Sequence, residues 1–294
     1  MRLPARLRRQ TGRHALVDGI PFTMPVDSQH TPALLAAFPV DARRAAALLP
    51  GRELHPLRLP AGRGLLVITV LEYRTTDIGR YIEFSIGIAC TRGPRPAPPL
   101  LPGLLRRPWG TGQFVLDLPV STEISVKGGK GIWGMPKHRE YLEFEAGART
   151  VTSRYWLDGR PAVTIELRRP RFAHLPVAAT ADNYGQFRGM LMRSTVYFRG
   201  RGGLARSARL TIGDQARVAP LKALDIAPRP LFAGWFPETH GVLDDRCESW
   251  FLTNDIPPRE APEGLESVVG LGLGQEWPER PRTDAYSAEA QGLP

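Results

Sequence analysis

A chain that uses arginine almost everywhere keeps most of its lysines in one place. Of 39 basic residues 35 are arginine and four are lysine, and three lysines fall within eleven residues: Lys127-Gly-Gly-Lys130-Gly-Ile-Trp133-Gly-Met135-Pro-Lys137. Arginine can replace lysine in most solvated roles, but its guanidinium keeps its proton and cannot attack a carbonyl. A lysine after Pro136, beside a Gly/Trp/Pro-rich turn, is therefore a candidate for amine chemistry, namely attack on a ketone or aldehyde to form an imine. The bland alternative is a chance cluster on a solvated loop. A second candidate is the carboxylate of Glu83. Arg80 to Cys90 alternates cleanly, with Ile82, Phe84, Ile86, Ile88 and Cys90 on one face. The other face carries Tyr81, Glu83, Ser85, Gly87 and Ala89, small and polar enough to meet solvent or line a cavity. A carboxylate placed there can hold or move a proton.

Other chemistries lack their residues. Gly128–Gly134 is glycine-rich without the Gly-Lys-Ser/Thr ending of a phosphate loop. Gly270-Leu-Gly-Leu-Gly274 is followed by Pro278 rather than a helix, which removes a dinucleotide fingerprint. The six histidines are dispersed, and Cys90 and Cys247 have no metal-site spacing, so neither metal nor cofactor is expected. Gly-x-Ser-x-Gly is absent, and with it the signal for a hydrolase nucleophile. The net charge of +10 comes from scattered arginines, with no nucleic-acid-binding motif around them, so no specific nucleic-acid partner is expected. No apolar run approaches the roughly 20 residues of a membrane-spanning helix, and no apolar stretch follows the five arginines of Met1 to His14. The expectation is a cytoplasmic protein with no membrane partner.

The elements that must position Lys137 and Glu83 read as β. Strands are predicted over 64–73, 80–90, 112–118, 139–145, 151–157, 162–168, 194–198 and 208–212. Asp41 can cap a short helix that Pro50-Gly51 ends. Residues 15–40, broken by Pro21, Pro25, Pro32 and Pro39, read as loop, and 91–111 as a long proline-rich connection. The prediction is a mainly β (α+β) chain, a sandwich or barrel with a few short helices. It divides into a flexible basic arm over 1–14, a single domain over 15–257 and a mobile Pro-rich tail over 258–294.

Gly79-x-Tyr81-x-Glu83 and, about fifty residues on, Gly129-Lys-Gly-Ile-Trp-Gly-Met-Pro136-Lys137 together resemble the acetoacetate decarboxylase superfamily. Phe38-Pro-Val-Asp41 and Leu48-Leu-Pro-Gly51 match the family's opening, and the resemblance is good over 35–145. It implies an antiparallel β-barrel or cone, a homo-oligomer and a lysine lyase. Lys137 would form a Schiff base with a keto acid or related small carbonyl compound, and Glu83 would be the active-site glutamate. Trp133, Met135, His138 and Tyr81 would be substrate-binding neighbours. Acetoacetate decarboxylases are a known instance of a lysine activated by burial or a cationic neighbour, so the resemblance asks for a dry pocket here.

The departures are specific. The family's second lysine is His138, its acid six residues before the lysine is Gly131, and its second glutamate falls on Ile68. Its carboxylate-binding arginine falls on Thr23, and no arginine occurs between Arg13 and Arg43. The imine-forming element is present without the shell that recognises acetoacetate. That pattern also suits aldol or dehydratase chemistry with the same lysine, or a non-catalytic barrel that binds a hydrophobic ligand.

Overall fold

The computed structural model describes residues 3–17 and 19–254. Seven strands organise it: β1 (Ala33–Asp41), β2 (Arg63–Tyr73), β3 (Tyr81–Arg92), β4 (Gly112–Val120), β5 (Leu175–Phe187), β6 (Met190–Leu204) and β7 (Phe232–Leu243). Each pairs with the next in chain order, and β7 returns to pair with β1, so the sheet closes into a barrel. A ring with an odd number of strands cannot alternate direction throughout. The parallel neighbours it must contain are β4 and β5, joined at Asn183↔Gln113 and Tyr184↔Phe114. Between them the chain forms the helix Glu123–Trp133 and three strands of a second sheet, Tyr141–Ala146, Thr150–Leu157 and Arg160–Arg168. Ala208–Ile212, after β6, completes that four-stranded antiparallel sheet.

Alternation along β1 to β3 explains the two layers. Leu34, Ala36, Phe38 and Val40 on β1, Leu66, Ile68 and Val70 on β2, and Phe84, Ile86 and Ile88 on β3 face away from the barrel axis. They are buried in one core with Val151, Tyr155, Val163, Ile165 and Leu167 of the second sheet. Each large apolar side chain buried in this way contributes roughly 1.5–3 kcal/mol. The residues in between, among them Leu35, Thr69, Leu71, Glu83 and Ser85, line the lumen. A wall buried on both faces has little freedom to move, which suits it to fixing a site.

This is the mainly β barrel with few short helices that the sequence predicts, with local corrections. Residues 15–40 are not loop: they hold Arg13–Val17 paired with Ile20–Met24, then Val26–Gln29, then β1. Proline excludes helix interiors but is admitted at strand edges and ends. Pro21 lies in a two-stranded hairpin, Pro25 between strands, Pro32 before β1 and Pro39 near its end. The Asp41 cap is as expected, its carboxylate accepting from Arg43 N and Arg44 N at 2.9 Å each. Within the basic arm expected over 1–14, Ala5–Gln10 is a helix whose Leu7 is fully buried. Arg6 pairs with Asp244, and Arg13 with Asp245 at 2.8 Å, so this part of the arm is seated on the body. The tail expected over 258–294 lies outside the described residues. Among the described residues no helix is long and apolar enough to cross a membrane.

Candidate active site

The lysine-bearing run is a helix followed by a strand rather than one turn. Glu123–Trp133 is helical and stops at Gly134, whose φ of 62° is the left-handed conformation that glycine adopts without strain. Gly134 N donates to Lys130 O and Met135 N to Gly129 O, which closes the helix end. After Pro136 the chain enters the short strand Lys137–Arg139, parallel to the end of β4 with Lys137 opposite Leu118. Glu83 on β3 lies opposite Val120, on the other side of β4. The two side chains meet inside the barrel, Lys137 Nζ standing 2.6 Å from Glu83 Oε2. Lys137 is only 4% exposed.

Glycine makes room for that lysine. A Cβ on Gly129 would lie 2.6 Å from Lys137 Cε and closer still to Cδ, so the lysine stem runs across the bare backbone of the helix. Gly128 likewise receives the ring of Phe22, and Gly131 the side chain of Val17. Trp133 donates from Nε1 to the carbonyl of Asp244 at 2.7 Å, which fixes the indole with its polar edge satisfied.

A cavity of about 220 Å³ fills the lumen, and all seven strands contribute to it. Lys137, Glu83, Trp133 and Met135 line it together. Tyr81 is not in the cavity wall: it is buried with Val120 and Val126. Its ring lies 5.5 Å from Lys137 Nζ and is stacked at 4.4 Å on Tyr73, which does line the cavity. Burial, with a smaller contribution from nearby charge, pushes both tyrosine hydroxyls well above their ordinary pKa, so they remain O–H groups. His138 is not brought to the cavity. Strand alternation turns it the other way, where it meets Asp117 at 2.8 Å and Glu140 at 3.3 Å. Ile68 packs between the sheets, and neither Thr23 nor Gly131 belongs to the cavity wall.

A bulge explains how Asp117 comes to lie beside His138. Ile86 pairs with Asp117 but the next residue, Gly87, pairs with Val115, so β4 carries one extra residue. Val115 and Leu118 both line the cavity as a result, while Asp117 turns outward to His138 and Arg217. Burial alone would raise the Asp117 pKa. Hydrogen bonds from His138 and Arg217 outweigh it and hold the carboxyl below its usual range. A carboxylate depressed in the folded state stabilises the fold above its ordinary pKa near 4 and loses that contribution as pH falls through the lower native value. Asp117→Asn is therefore expected to lower stability at pH 7 by about 2 kcal/mol, with the difference shrinking below about pH 4. Thermal melts of both proteins across pH check this, and a gap that stays constant into acid contradicts it.

The sequence reading omitted several wall residues. Tyr73, Ser85, Gln113, Asn183 and Ser194 all line the cavity. Ser85 is on the Glu83 face but was not among the expected site residues. Gln113 lies on β4, where the bulge breaks the alternation that would join it and Val115 to Leu118, and the inner face of β5 carries Ala181 and Asn183.

Comparison with known proteins bears on the same elements. The family model described as acetoacetate decarboxylase (ADC) matches residues 9–167, more than half of the chain. The chain belongs to the acetoacetate decarboxylase family. Among solved structures, this family member is similar to acetoacetate decarboxylase from Legionella pneumophila subsp. pneumophila str. Philadelphia 1. The TM-score is 0.56 at 13% identity, covering 75% of this chain and 85% of that one. An acetoacetate decarboxylase-like enzyme from Sphingomonas wittichii RW1 gives 0.54 at 15% identity, covering 77% and 93%. The enduracididine biosynthesis enzyme MppR complexed with pyruvate gives 0.53 at 17%, covering 76% and 90%. At these identities the likeness is one of fold. Comparison with curated proteins gives no match.

Proposed function

We propose that this family member is a lysine-dependent enzyme acting on a carbonyl compound, with Lys137 as the imine-forming nucleophile and Glu83 as the proton carrier. The observation that carries the reading is the 2.6 Å Lys137–Glu83 contact inside a mainly apolar lumen. An amine attacks only with its lone pair free, and a carboxylate at hydrogen-bond distance can take the ammonium proton. The lone pair of Nζ then bonds to the carbonyl carbon, and the C=O π pair moves to oxygen, which is protonated. Loss of water from this adduct, with its proton balance passing through Glu83, leaves a protonated imine. That imine accepts the electron pair of a bond broken at the neighbouring carbon. Breaking C–CO2⁻ would be decarboxylation, breaking C–C with a carbonyl leaving would be aldol cleavage, and removing C–H opens the way to dehydration. All three share the same first intermediate. The pyruvate complex of MppR, which has this fold, supports a small carbonyl compound as ligand.

One observation favours a second reading. Much of the lumen wall is hydrocarbon, as in a barrel that holds a hydrophobic ligand without turnover. Acetone with cyanoborohydride separates the two. The expected result is a reduced adduct mapped to Lys137 by mass spectrometry, and no adduct there favours the binding barrel. Glu83→Gln is expected to form that adduct more slowly, and to slow exchange of acetone methyl hydrogens into D2O by about 10²–10⁴-fold. Unchanged exchange would remove Glu83 from the proton-transfer role.

A further inference from the structure

We infer that the substrate is a neutral, largely apolar carbonyl compound of about nine heavy atoms, and not a keto acid. This rests on Lys137 as the imine-forming lysine and goes on to the chemistry of the space around it. In a chain with 35 arginines, none lines the cavity among the described residues. The strand β6 shows how they are kept out: Arg193 and Arg199 alternate with Ser194, Val196 and Phe198, which face the lumen. Arg193 is engaged with Glu248 at 2.6 Å on the other side of the sheet, and Arg199 with His240 at 3.2 Å.

The only cation in the cavity wall among the described residues is Lys137, and it already faces Glu83. A substrate carboxylate would bring a second anion into the same enclosed space, with no guanidinium to receive it. A desolvated carboxylate without a partner is strongly disfavoured. What the wall offers instead is hydrocarbon and neutral hydrogen-bonding groups. Gln113 Nε2 donates to Asn183 Oδ1 at 2.8 Å, where β4 and β5 run parallel. Each amide keeps further donor or acceptor capacity after that bond, suited to a hydroxyl or second carbonyl. An engineered apolar cavity of about 150 Å³ holds benzene, so a lumen of about 220 Å³ accommodates a body of about nine heavy atoms.

The test compares 2-octanone, which matches that size, with 2-oxooctanoate, which has the same carbon number and a carboxylate. Each is incubated with the full chain and cyanoborohydride, and the rate of adduct formation on Lys137 is divided by that on N-acetyl-lysine amide to remove intrinsic carbonyl reactivity. Acetone is run alongside. The expected result is normalised labelling by 2-octanone at least about tenfold faster than by 2-oxooctanoate. Equal or faster labelling by 2-oxooctanoate, or none by 2-octanone, with acetone still captured on Lys137, overturns the neutral-substrate inference and leaves the lysine reading in place. Failure of acetone as well removes the lysine reading, and this inference falls with it.

Discussion

Lys137→Arg is expected to reduce imine capture at position 137 to background while the protein remains folded. The two side chains differ little in length and carry the same charge, so the pairing with Glu83 survives the exchange. The guanidinium is bulkier than an ammonium, and overpacking a buried position costs about 1–3 kcal/mol. A lower melting temperature with a single cooperative transition is the stability result expected. Capture is another matter, because a guanidinium stays protonated at any workable pH and offers no lone pair. A purely electrostatic role for the residue would partly outlast the substitution. Near-normal turnover of any substrate by the arginine variant would therefore show that the position serves as an anion anchor, with the chemistry elsewhere in the lumen. Mass mapping of adducts also tests Lys130, the neighbouring lysine of the same run.

Gly129→Ala is expected to separate chemistry from stability more sharply. Alanine is the better helix former by about 1 kcal/mol, and Gly129 lies inside the helix Glu123–Trp133. The added methyl, however, takes the space occupied by the stem of Lys137. The lysine is buried and tied to Glu83, so it must shift to admit the methyl. Misplacing a reacting group by about 1 Å can cost about 10²-fold in rate. A loss of imine formation near that size is expected, with a smaller change in melting temperature because the helix gain offsets part of the crowding. Gly131→Ala is the control, since its methyl would meet Val17 and not the lysine. Equal effects at the two positions would mean that crowding of the helix in general, and not displacement of Lys137, is being measured.

How much of this was legible in the sequence depended on what each strand faces. On β3 one face is continuous hydrocarbon and the other small and polar, so alternation alone put Glu83 on the correct side. The strands β5 and β7 were missed. Their lumen residues include Ala181, Asn183, Thr239 and Gly241, which blur the apolar period that marks a strand. The bulge in β4 hid the roles of Asp117 and Leu118 for a different reason. Once an extra residue enters, parity along the strand no longer reports the face, and only the partner strand reveals the shift. The helix Glu123–Trp133 was obscured by its own glycines, which read as turn-formers. They are there because Lys137, Phe22 and Val17 come too close for side chains. The meeting of Lys137 and Glu83 came from the family resemblance, since their separation in sequence gives no local signal.

The barrel's closing seam has a bearing on how the protein comes into being on the ribosome. β1 is synthesised early, but its second lumen-side neighbour β7 arrives about 200 residues later, as the pairing of Ala33 with Phe236 shows. Lys137 and Glu83 both emerge well before that. Until the late strand docks, the wall is an open sheet with an unpaired edge, and its inner face is in water. A nascent chain therefore carries Lys137 in bulk solvent, where a lysine amine is mostly protonated. The enclosure that buries Lys137 beside Glu83 is completed only with that last seam, so a polypeptide that stops short of β7 lacks it.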